Sequence, residues 1–225
     1  MFQYRILKRF SWAGKAILAS CPYLFINSVA VANCIVPEIP KKIDNYIKEN
    51  TYLQSKKKSG RWIALDKVIS ARDLEAAYEC LSDKMLKTYQ NKQLDVPQKY
   101  RNWKRVNDVS FYAPANDFGW VNVFVNREAE KYSLNQYTSE FKEGSIIVKE
   151  GYTFDISGRS DIGPLFYMEK MKQGYNEESS DWKFTEVDVD GTYAEMGGHN
   201  SELTIRCVKC HTRRKDSDFL FFLKK

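Results

Sequence analysis

Cys207, Val208, Lys209, Cys210 and His211 form a C-x-x-C-H run, and that spacing has a chemistry. Two thiols with two residues between them can each add S–H across one vinyl group of a porphyrin. The imidazole that follows then falls beneath the iron as its proximal ligand. The run therefore points to one covalently bound c-type haem. Other uses of paired cysteines fit less well. A structural zinc site takes four ligands, and the chain has no second C-x-x-C and no H-x-x-x-H. A thioredoxin-type pair follows a βαβ pattern, which is absent here. A plain disulfide between the two stays open in an oxidising compartment.

The only histidines are His199 and His211. With His211 as proximal ligand, the sixth iron position falls to His199, to a methionine or to no protein group. His199 stands in a Gly-Gly-His-Asn loop, the usual setting of a surface histidine. The expectation is therefore a five-coordinate iron with an open face. An open face suits small-molecule binding or catalysis, and a closed one suits electron transfer.

Haem attachment of this type follows export, and residues 1–32 read as a signal peptide. Arg5, Lys8, Arg9 and Lys15 give a positive start with no acid, Ala16 to Val29 is mostly apolar, and Ala30-Val31-Ala32 is an A-x-A cleavage pattern. Pro22 and Asn27 interrupt the apolar run, which is shorter than the ~20 residues a spanning helix needs. Leu18-Ala19-Ser20-Cys21 has the composition of a lipidation site but few apolar residues before it, so a lipid anchor is the lesser reading. The expected location is periplasmic. Removing the signal takes four positive charges from the net +6 and leaves a nearly neutral chain, which removes the case for nucleic-acid binding. Cys34 and Cys80 remain outside the motif, either paired with each other or free.

The motif must be held by the rest of the chain, which divides into a signal (1–32), a polar lysine-rich arm (33–69) and a domain (70–225). The run Lys56-Lys57-Lys58 reads as a solvated loop. Ser70 and Asp73 stand at capping-box spacing, and Leu74, Tyr78, Leu81, Met85 and Tyr89 recur at helical intervals, which predicts an amphipathic helix over 70–90. Trp120 to Asn126 alternates, with Val121, Val123 and Val125 on one face and Trp120, Asn122 and Phe124 on the other. Further strands are expected at Gly144–Glu150, Pro164–Met171 and Trp182–Val187, and a turn at Asp188–Gly191 returns the chain along Thr192–Met196. A short helix then carries the cysteines. The fold class is α+β: mainly antiparallel sheet, with an N-terminal amphipathic helix and a short C-terminal haem-attachment helix.

Four stretches precede the motif in an order that resembles the cytochrome P-460 family, which includes the beta-sheet cytochromes c′. They are Tyr100-Arg101-Asn102-Trp103, Glu143 to Glu150 (EGSIIVKE), Gly163 to Met171 (GPLFYMEKM) and Trp182-Lys183-Phe184-Thr185, with Asp218 to Phe221 (DFLF) closing the pattern after the motif. The resemblance implies a homodimeric antiparallel β protein with a five-coordinate c-type haem. It also implies, for cytochrome P-460 members, oxidation of hydroxylamine to nitric oxide or nitrous oxide, with electrons passed to a partner cytochrome. In those members a lysine is cross-linked to a porphyrin meso carbon, giving haem P-460, and Lys149 matches its position. Burial beside a porphyrin would lower the lysine pKa and supply the free amine such a bond needs.

One position departs from the pattern. Hydroxylamine-oxidising members carry a glutamate two residues after the haem histidine, where this chain has Arg213. A carboxylate can take up protons during the oxidation and an arginine cannot. Arg213 is instead a candidate donor to a haem propionate or a bound anion, and Asp216 and Asp218 are the nearby candidates for a proton relay. Phe118, Trp120 and Phe124 are the candidates for an apolar distal pocket suited to a small nitrogen-oxide ligand. Three functions follow: a hydroxylamine-oxidising haem enzyme, a nitric-oxide-binding or detoxifying protein, and an electron carrier.

Overall fold

In a computed structural model of the chain, described for residues 34–221 except 114–118, 135–139 and 199, helices cover one face of an antiparallel sheet. Residues 1–32, read above as a signal peptide and containing Cys21, lie outside the described residues, as do Phe118 and His199. Strands β1 (Lys104–Arg105) and β2 (Phe111–Ala113) both pair with β3 (Gly119–Val125). The sheet continues through β4 (Ile146–Phe154), β5 (Ser160–Lys170), β6 (Trp182–Val187) and β7 (Tyr193–Glu195), each antiparallel to the last. These strands match the alternating segments of the sequence. A short helix, α6 (Ile205–His211), follows and carries both motif cysteines.

Residues 39–68, expected as a loose arm, instead form three helices: α1 (Ile39–Glu49), α2 (Thr51–Gln54) and α3 (Lys57–Val68). The lysine-rich run opens α3 and is not a loop. The stripe was hidden by composition. Ile39 and Ile43 stand one helical turn apart among lysines, and with Leu53, Ala64 and Leu65 they are almost wholly buried. Cys34 and Cys80 form a disulfide. It ties the start of this segment to α4 (Ala71–Tyr89), while Val36 N–H donates to Gly158 O (2.9 Å) and Ser160 N–H to Cys34 O (2.7 Å). Gly158 is required there: its φ is +82° and a Cβ would lie 2.3 Å from Val36 O. A further short helix, α5 (Val96–Lys99), leads into the sheet.

The expected capping box is present at the start of α4. Ser70 Oγ accepts from Asp73 N–H (3.3 Å) and the Asp73 carboxylate accepts from Ser70 N–H (2.8 Å). Lys42 of α1 also donates to that carboxylate (2.5 Å), so one side chain caps α4 and anchors α1. The apolar stripe of α4 packs on the sheet through Leu74, Tyr78, Leu81, Met85 and Tyr89.

Strand alternation divides the sheet into two chemically different faces. Trp120, Phe124, Val148, Tyr152, Phe154 and Tyr167 face the helices and belong to one core cluster. Val123, Val125, Ile147, Met168 and Phe184 belong to a second cluster with Trp182, Phe219 and Leu220, against which Cys207 and Val208 pack. Glu150 is on the helix side, fully buried, where it accepts from Tyr78, from Tyr100 (2.6 Å) and from Arg101 (2.7 Å).

Candidate functional site

The second face carries the site. In a helix, residues three and four apart share a face, so α6 presents Cys207, Cys210 and His211 along one side. Both cysteines are free thiols and partly exposed. Burial and then the Glu186 carboxylate push the Cys207 thiol up to about 11, so it stays protonated at neutral pH. That is the state needed to add S–H across a vinyl group without any exchange of electrons.

The chain after α6 orients His211. Asp218 (φ +48°) and Phe219 (φ +63°) both adopt the left-handed region, which turns the Phe219 carbonyl back onto His211 Nδ1 at 2.6 Å. A carbonyl only accepts, so Nδ1 carries the hydrogen and Nε2 keeps its lone pair for a metal. The ring rests between Phe184 and Phe221, with centroids 5.0 and 5.2 Å away. Burial, reinforced by the Lys149 charge and opposed by the Phe219 hydrogen bond, lowers the His211 pKa to about 4. The imidazole is therefore neutral at physiological pH, as ligation requires.

The left-handed pair is itself anchored. The Asp218 carboxylate accepts from Lys170 Nζ (2.7 Å), Phe141 N–H (2.7 Å) and Trp182 Nε1 (3.2 Å), and its own carbonyl accepts a second contact from Trp182 Nε1 (3.0 Å). Lys170 and Asp218 are 8% and 6% exposed at their side chains, so this is a buried ion pair.

A narrow cleft of about 60 Å³ lies between α6 and the sheet. Lys149, Ile147, Phe166, Met168 and Phe184 line it together with Cys207 and His211. Lys149 is flanked across the strands by Val123 and Phe166, which offer its amine no partner, and no ion pair or hydrogen bond to it occurs among the described residues. Burial brings its pKa down to about 8, against a smaller opposing pull from Cys210. The donor set thus fits a c-type haem: two free thiols, one oriented neutral imidazole, apolar walls and one amine close to deprotonation. No group of three His, Cys, Asp or Glu side chains able to hold a metal ion gathers among the described residues.

The sequence candidates separate on this geometry. Cys207, Cys210, His211 and Lys149 converge. Trp120 and Phe124 do not: they face the helices, on the far side of the sheet from His211, because alternation turns the Val121-Val123-Val125 face toward the cleft. Arg213 and Asp216 are exposed. Asp218 is nearby but fully engaged as an anchor, so it is not a free proton relay. Sequence reasoning missed Ile147, Phe166, Met168 and Phe184 as the lining. The period of two through Lys149 and the register of its neighbours could have found them. The Phe219 carbonyl carried no side-chain signal at all.

No curated protein matches this sequence. The sequence model described as Cytochrome P460 matches residues 97–222, which takes in the sheet, the cleft and the C-x-x-C-H run. The chain belongs to the cytochrome P460 family.

Proposed function

We propose that this protein is an exported mono-haem c-type cytochrome of the P-460 type that oxidises hydroxylamine to nitric oxide or nitrous oxide. The observation that carries the reading is the placing of an unpaired, half-buried lysine amine, Lys149, in the same cleft as the haem-attachment residues. A structural lysine would be paired or would reach water. This one shares the cleft with Cys207 and His211, which supports a third covalent tether to the porphyrin. That bond exchanges an N–H and a meso C–H for C–N with loss of two electrons and two protons, so it needs an oxidant of the peroxide or dioxygen class.

When bound, the haem would supply the redox centre. Cys207 and Cys210 would hold it and His211 would offer Nε2, its ring fixed by the Phe219 carbonyl. Ile147, Phe166, Met168 and Phe184 keep the cleft apolar and limit access to small molecules. Hydroxylamine oxidation releases protons and electrons in equal number. Protons must leave through exposed groups such as Asp216, and electrons must pass to a partner cytochrome. The Cys34–Cys80 disulfide supports an oxidising compartment, in keeping with export. A homodimer is part of the same reading.

The absorption spectrum of the purified ferrous protein tests the tether. A Soret band shifted strongly to the red, lost in Lys149→Met, is expected, with an intact mass equal to the mature chain plus one haem less two hydrogens. Hydroxylamine-dependent reduction of an artificial acceptor tests the activity, and its absence would overturn it.

One observation favours a second reading, a nitric-oxide-binding protein. No carboxylate lines the cleft among the described residues, so proton uptake beside the substrate has no evident acceptor. That reading expects an unshifted c-type spectrum and tight nitric oxide binding without turnover. A six-coordinate low-spin spectrum would point to an electron carrier, with Met168 as the cleft's thioether.

A further inference from the structure

A second cavity lies on the helix side of the sheet and takes no part in the site above. It is open-mouthed and holds about 380 Å³. One wall is aromatic. Trp120 stands between Tyr112 (centroids 5.1 Å) and Phe154 (5.4 Å, edge-on), which fixes its ring. The opposite wall comes from α3, which supplies Trp62 and Asp66. Trp62 and Tyr112 are 49% and 47% exposed, unusual for large aromatic rings that both border one cavity.

The charges around the cavity are unequal. Asp161 is paired with Lys84 (2.5 Å), and Arg159 with Asp155 (3.5 Å). Asp66 has no ion pair or hydrogen bond among the described residues; the charge that acts on it is that of exposed Lys67, which does not line the cavity. The cavity thus combines four aromatic rings with one carboxylate that no side chain contacts. Aromatic faces attract a cation through the ring quadrupole, and a nearby carboxylate adds charge attraction. Neutral apolar ligands would leave Asp66 unanswered, and anions would be repelled.

The wall from α3 is absent from the part of the chain that matches the cytochrome P460 family, which begins at residue 97. The cavity is therefore a product of the N-terminal helices docking on the sheet. We propose that it binds a small organic ammonium ion, seated against Trp62, Tyr112 and Trp120 with Asp66 as counter-charge.

The test uses the haem-loaded full chain and isothermal titration calorimetry. The probes are choline and its neutral carbon analogue, in which a carbon replaces the ammonium nitrogen. Choline is expected to bind about tenfold more tightly than the neutral analogue. Asp66→Asn should weaken choline by about tenfold and Trp62→Ala by about fivefold, with the haem absorption spectrum unchanged throughout. Trp62 and Asp66 are exposed, so both variants should melt as the parent does. Equal binding of the two probes to the unmodified chain overturns the proposal without any variant. So does no choline binding at tens of millimolar, an unchanged affinity in Asp66→Asn, or a choline-induced change in the haem spectrum.

Discussion

Replacing Asp218 with alanine separates two roles open to a carboxylate beside the haem motif: proton relay and anchor. The geometry gives the anchor a size. Asp218 answers Lys170, Phe141 N–H and Trp182 Nε1 at 2.7, 2.7 and 3.2 Å, and neither member of the ion pair is more than 8% exposed. Removing one partner of a buried pair leaves the other charge uncompensated, at a cost of about 3–5 kcal/mol. A domain of roughly 190 residues has an unfolding entropy near 0.4 kcal/mol per kelvin, so the loss is about 10 °C in melting temperature. Removing both partners, as in Asp218→Ala with Lys170→Met, should recover much of it, because no unpaired ammonium remains. The assay is calorimetric melting of the four members of the cycle. The haem spectrum reports whether His211 keeps its orientation once the Asp218–Phe219 turn is released. Strict additivity of the two single changes would refute the anchor. So would an Asp218→Ala protein that melts normally yet no longer turns over hydroxylamine, which is what a relay predicts.

Three further outcomes are expected. Cys34→Ser with Cys80→Ser opens a loop spanning 46 positions, and the chain-entropy relation gives a loss of about 4 kcal/mol as an upper value, read as a shift in urea midpoint. Gly158→Ala forces a Cβ to 2.3 Å from Val36 O at φ +82°, so it should cost more than ~1 kcal/mol and lower the melting temperature by several degrees; an unchanged melt would contradict the close approach. Burial acts to raise the Asp73 pKa, but hydrogen bonds from Lys42 and Ser70 outweigh it and hold the carboxyl below its usual range. Its stabilising contribution is therefore present above the unfolded carboxylate pKa, near 4, and is lost as pH falls through the folded value. Urea midpoints between about pH 2 and 5 should fall less steeply in Asp73→Asn than in the parent.

Much of the sheet was legible because its signals are local. Alternation through Trp120–Asn126 and the Asp188–Gly191 turn need only neighbouring residues to be read. The capping box at Ser70 is local as well. The helices of residues 39–68 were missed because their apolar residues are few. Ile39 and Ile43 are buried by α3 and the sheet, a tertiary event that mean polarity conceals. The distal candidates failed for a sharper reason. Trp120 and Phe124 lie on the strand that the family resemblance sets beside the haem, whereas the face each residue takes on that strand is decided by parity. The valine face was already visible in the same seven residues, and it is the one turned toward the cleft.

Parity also explains how two ionisable neighbours, half-buried Lys149 and buried Glu150, coexist. On one face they would pair. The carboxylate would raise the lysine pKa, hold the amine protonated and remove the nucleophile. Adjacent positions on a strand point to opposite faces, so the sheet itself insulates them. Glu150 finds Arg101, Tyr78 and Tyr100 among the helices, while Lys149 finds no carboxylate, only mostly apolar walls and the haem-attachment helix. A one-residue slip of β4 would exchange these surroundings, burying the carboxylate in the cleft and turning the amine toward Arg101. The bulge beside Gly151, where the register between Glu150 and Tyr152 shifts, falls just beyond the pair. The extra residue of that bulge belongs to β5, so β4 keeps its parity through Lys149, where the chemistry depends on it, and on to Tyr152 and Phe154.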